Sequence, residues 1–106
     1  MSEPLAEDQR LELSGAITLR DIKDVHLEVL ARLKRHSTIE IDCRAVVEVD
    51  LTLIQLMIAA DLTAAKSGKA VRLSQPYPEA IQQLLVRAGL LAGTPGAAEN
   101  IWARQP

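Results

Sequence analysis

Residues 46–66 read V-V-E-V-D-L-T-L-I-Q-L-M-I-A-A-D-L-T-A-A-K, and the rest of the chain arranges itself around them. A short apolar turn over 46–49 runs into an acid, Asp50, then a hydroxyl, Thr52. A long and mostly apolar helix is expected from about residue 53 to 66. Thr52 is placed to cap it: its hydroxyl can accept the Gln55 backbone N–H, and the Gln55 side chain can reach back to the Thr52 N–H. The dipole and free N–H groups at such an end also favour a phosphate. Two readings of Thr52 stand at this point: a cap without chemistry, or a hydroxyl modified as a switch.

The helix carries apolar residues on two sides, with Leu53, Leu56 and Ala60 on one and Ile54, Met57 and Ile58 on the other. Either both sides are buried, or Leu51, Leu53 and Leu56 remain exposed as a docking patch. A helix lying on a sheet buries one stripe, which favours the patch. Asp61 belongs at a rim.

Working outward, Ile39, Ile41 and Cys43 alternate with Glu40, Asp42 and Arg44, a strand leading into the organising turn. Before it, Ile22, Val25, Val29, Leu30 and Leu33 recur at helical spacing, and Thr18 opens a helix expected over 19–35. Residues 10–13 alternate as a half-buried strand with Leu11 and Leu13 inward. Ser14-Gly15 signals a turn and Ala16-Ile17 a short returning strand, so an antiparallel N-terminal edge is expected.

After the organising helix, Gly68 suits a left-handed C-cap, and 70–74 form a strand with Val71 and Leu73 inward. Pro78 fits the first position of a third helix with Ile81, Leu84, Leu85 and Ala88 as its stripe and Gly89 at its end. Leu90 and Leu91 tuck back, and a short last helix around 97–103 docks Trp102. Two successive strand–helix–strand units predict parallel pairings with right-handed crossovers. The fold class is therefore α/β, a mixed sheet with about four helices.

The 106 residues suit one domain over 9–106, behind a loose polar tail at 1–8. Aromatic residues are 2% of the chain, so the core must be aliphatic and base-stacking platforms are lacking. A net charge of −2 supplies no field for nucleic acid or an anionic membrane. One cysteine, Cys43, cannot form an internal disulfide and reads as a small core residue. The start of the chain has no basic, apolar leader pattern, and Asp61 interrupts the longest apolar run, so a cytoplasmic protein without membrane insertion is expected. His26 and His36 are surface or rim residues and have no metal-ligand spacing with Cys43, and the five glycines form no phosphate cradle. No cofactor, metal or catalytic constellation is expected, and the chain does not read as an enzyme.

Residues 39–91 resemble the STAS domain of anti-sigma factor antagonists. That family has an apolar strand ending in Asp, a valine-rich turn, and Asp-Ser-Ser-Gly-Leu opening a helix. Here Ile41-Asp42-Cys43 supplies the strand, and Val46, Val49 and Asp50 supply the turn. Gly68-Lys69, Val71-Arg72-Leu73 and Ala88-Gly89-Leu90 match the following elements. The resemblance puts Thr52 where the family's phosphorylated Ser or Thr stands, with Asp42 and Asp50 near it. Leu51 and Leu53 replace a small residue and a glycine, so the hydroxyl has bulkier neighbours here. The D-L-T-L-x-Q-L variant also looks like small stand-alone STAS proteins of chemotaxis or two-component signalling. The resemblance implies a bacterial signalling module that binds an anti-sigma factor, a serine/threonine kinase-like protein or a chemotaxis sensor. Asp50, Leu51, Leu53, Leu56 and Asp42 would form the contact surface, Thr52 the phosphorylated residue, and a homodimer is compatible. A constitutive, unphosphorylated subunit of a signalling or transport complex is the alternative.

Overall fold

The computed structural model describes residues 6–90 and 100–103. Among these residues three strands and three α-helices alternate: β1 (Arg10–Ile17), α1 (Ile22–Arg35), β2 (Thr38–Val49), α2 (Leu51–Lys66), β3 (Ala70–Leu73) and α3 (Glu79–Ala88). The sheet order is β1-β2-β3, and both pairings are parallel. Leu11, Ile41 and Leu73 lie in register across it, and Ile39 lies beside Val71. These residues face one aliphatic cluster that also takes the buried sides of all three helices. The opposite side of the sheet is polar, with Arg10 beside Glu40 and Glu40 beside Arg72.

The expected antiparallel edge does not form. Ser14 and Gly15 continue β1 without turning. Gly15, at φ 71°, uses its freedom inside the strand. The β1–β2 register slips on either side of it, between Glu12 and Ser14 and between Gly15 and Ala16. The apolar turn expected at 46–49 is likewise strand: Val46, Val47 and Val49 are β-branched and extend β2 through Val49. The sheet is thus all parallel among the described residues.

Helix α1 begins at Ile22, later than the sequence suggests, because Asp21 turns back on Thr18. The Thr18 N–H donates to Asp21 Oδ2 at 3.0 Å and the Asp21 N–H donates to the Thr18 carbonyl at 2.8 Å. Pro78 sits at the cap of α3 and not inside it, and Gly89 closes the helix in the left-handed region at φ 69°. Three α-helices are present among the described residues where about four were expected. The last was expected over 97–103. Residues 97–99 and Leu91 lie outside the described set, and 100–103 form a turn. Trp102 docks all the same, fully buried. Asn100 Oδ1 accepts the Trp102 N–H at 2.8 Å, the indole N–H donates to the Ile54 carbonyl at 2.9 Å, and the ring meets Tyr77 edge-on at 5.2 Å.

Residues 6–8, read with the N-terminal tail, are held to the body. Glu7–Gln9 form a 3-10 turn, and Asp8 accepts from Arg35 Nε at 2.8 Å and lies 2.7 Å from His36 Nε2. Cys43 is buried, as expected, and burial pushes its thiol up to about 12, so it is unreactive at neutral pH.

Asp42 is the buried acid on the polar side of the sheet. It accepts from Arg44 Nε at 3.0 Å, Arg44 Nη2 at 2.8 Å, the Arg44 backbone N–H at 2.9 Å and Arg10 Nη2 at 2.6 Å. The Arg44 bonds, with that of Arg10, hold its carboxyl well below the usual carboxylate range. A depressed folded pKa contributes stability above the unfolded carboxylate value and loses it as pH falls towards the folded one. Asp42→Asn should therefore cost about 2 kcal/mol at neutral pH, discounted for the half-exposed arginines. In urea melts over a pH series the gap from wild type should begin to narrow below about pH 4 and go on shrinking as the pH falls further.

Candidate functional site at the start of α2

The start of α2 departs from the expected cap. Asp50, not Thr52, is the N-cap, and Thr52 lies inside the first turn. Asp50 Oδ1 accepts the Thr52 N–H at 3.0 Å and also the Thr52 hydroxyl. The other oxygen, Oδ2, accepts the Leu19 N–H at 2.9 Å. A carboxylate has two acceptor oxygens and a full charge for the positive helix end, so it outcompetes a hydroxyl two residues later. The Thr52 hydroxyl, followed by the Leu19 and Thr52 N–H groups, lowers the Asp50 pKa and keeps it charged.

This geometry moves the expected capping loss from Thr52 to Asp50. Asp50→Ala should destabilise the domain by about 1–2 kcal/mol, against less than about 1 kcal/mol for Thr52→Ala. Denaturant midpoints compare the two, and faster amide exchange at Leu19 should accompany only the Asp50 change. Equal midpoints would assign the cap elsewhere.

The five contact residues expected from the sequence do not form one surface. Leu51 is outward, at 46% exposure, beside the half-buried Thr52. Leu53 is completely buried, at 0%, in the sheet-facing stripe with Ile54, Met57, Ala60 and Ala64. The reason is geometric: two residues apart on a helix are about 200° apart around it, so Leu51 and Leu53 cannot both face outward. Leu56 is half-buried against the core. Asp42 spends its carboxylate on Arg10 and Arg44, and its hydrogen bonds include neither Asp50 nor Thr52. Asp50, Leu51 and Thr52 are what remains together.

The structure adds a residue to them. Leu19, 67% exposed, is tied to the site through its backbone bond to Asp50. The apolar spacing in the sequence puts it inside the first helix. Asp21, an acid able to bond back to Thr18, was the signal that the helix starts later and that Leu19 lies in the β1–α1 connection. Two exposed leucines thus flank an acid and a hydroxyl at a helix N-terminus.

The order β2, α2, β3, α3, with a hydroxyl in the first turn of the second helix, is the order that the STAS resemblance implies. Residues 3–92 match the family model described as Mlab, STAS domain, and the chain belongs to that family. Membership places it with signalling and regulatory modules. No curated protein matches the chain.

Proposed function

We propose that this domain is a bacterial, cytoplasmic signalling module that works by contact and not by turnover. It binds a kinase-type or sensor partner through the start of α2, and phosphorylation of Thr52 releases that partner. The observation that carries the reading is the pair Leu19 and Leu51, both exposed and both anchored beside Asp50 and Thr52. A partner seated on the two leucines covers the hydroxyl. A phosphate there would add about −1.5 to −2 charges next to Asp50, and the covering surface would meet repulsion and desolvation. The helix end offsets about 0.3–1 kcal/mol of that cost. Among the described residues, no helix is long and apolar enough to cross a membrane.

The bond from the Thr52 hydroxyl to Asp50 favours a second reading. A hydroxyl already donating to a carboxylate serves well as a fixed structural donor, and the domain would then be a constitutive, unphosphorylated subunit of a signalling or transport complex. Intact-mass measurement of protein purified from its own host separates the two. A phosphate that Thr52→Ala abolishes supports the switch. Its absence, with a native complex that Leu51→Asp still disrupts, supports the constitutive subunit. A complex indifferent to Leu51→Asp and Leu19→Asp overturns the site itself.

A further inference from the structure

The outward side of α2 carries an apolar stripe with an opposite charge at each end. Leu51, Gln55, Ile58, Ala59, Leu62 and Lys66 recur at helical spacing, opposite the stripe that packs on the sheet. Leu62 is 59% exposed, Gln55 and Ala59 are exposed, and Ile58 is half-buried. From Leu51 to Leu62 the stripe runs about 16 Å along the axis. Asp50 stands at its N-terminal end and Lys66 at its C-terminal end.

We propose that this stripe seats a second copy of the chain, two α2 helices packing antiparallel about a two-fold axis at the level of Ile58 and Ala59. The charges select that occupant and that direction. A two-fold axis there brings Asp50 to the partner's Lys66, and repeats the pair at the other end. It sets Gln55 against the partner's Leu62 and Leu51 against the stem of the partner's Lys66. Parallel helices would bring like charges together at both ends. Ala59, small and central, allows the axes to approach to the usual 8–10 Å. A surface of one helix stripe falls below the roughly 1,200 Å² of stable interfaces, so the dimer is weak and exchanges. Leu51 belongs to both surfaces, so the dimer covers the proposed partner site and the monomer is the binding form.

Sedimentation equilibrium of the purified full chain tests this from about 10 µM to about 1 mM, where an interface below the standard size associates. The mean mass should rise towards two chains. Leu62→Lys, an exposed change whose fold is checked by circular dichroism, should weaken association at least about tenfold. Lys66→Glu should weaken it as well, since both end pairs become like-charged. Ala59→Cys should cross-link to itself on oxidation, with the buried Cys43 silent. A wild type that stays monomeric throughout overturns the dimer and leaves the stripe to a helix of another protein. Association unchanged by Leu62→Lys overturns it too. The readout needs only the pure protein, so failure of the Thr52 partner reading does not move it, and a monomeric result leaves the Leu51→Asp comparison intact.

Discussion

Trp102→Ala is expected to remove about 3–5 kcal/mol of stability, on the scale of buried aromatic truncations. A domain of this size holds about 5–15 kcal/mol in total, so the variant should be marginal at room temperature. Three losses combine. The indole volume leaves a cavity under α2, the edge-on contact with Tyr77 goes, and the N–H bond to the Ile54 carbonyl goes. Trp102→Phe keeps an aromatic ring but not the donor, and should cost clearly less. Urea denaturation followed by circular dichroism measures both. An alanine variant within about 1 kcal/mol of wild type would mean that the turn at 100–103 does not hold the core.

Leu53→Asp should unfold the domain outright. Leu53 has no exposed surface and sits among Ile54, Met57 and the sheet, so a charge there has neither water nor a partner. Burying an unpaired carboxylate costs several kcal/mol even after its pKa shifts to neutralise it. Leu51→Asp, two residues earlier on the outward side, should stay within about 0.5 kcal/mol of wild type. Thermal melts of the two variants make the contrast. A complex lost through Leu53→Asp would therefore report unfolding, and Leu51→Asp is the change that probes the surface. A folded Leu53→Asp protein would show that α2 faces the sheet differently.

Much of the fold was readable from pattern alone. Alternation at Leu11/Leu13 and Ile39/Ile41/Cys43 placed two strands, and 3.6-residue stripes placed α1 and α3, because burying one side of each element demands those periods. Gly68 and Gly89 marked the ends of α2 and α3, since both take left-handed φ that other residues resist. The STAS resemblance rested on the same stretches, and the family match covers them.

The places where the structure departs from the sequence pattern share a cause: each is a choice between local options that only distant residues settle. Ser14-Gly15 has the composition of a turn, but β2 offers a partner along its whole length, and the ladder bonds outweigh the local preference. Thr52 has a complete capping-box signature, but Asp50 gains a third donor from Leu19, 31 residues away, and takes the cap. α2 is apolar on two sides, so its periodicity cannot say which side meets the sheet; packing chose Leu53 and left Leu51 and Leu62 outside. Periodicity, with the glycines at 68 and 89, thus determined the three helices, the strands that begin near 10, 39 and 70, and their order. Which side of α2 faces out, and which acid holds its first turn, were decided by tertiary packing, because those outcomes depend on contacts between strands and helices far apart in the chain.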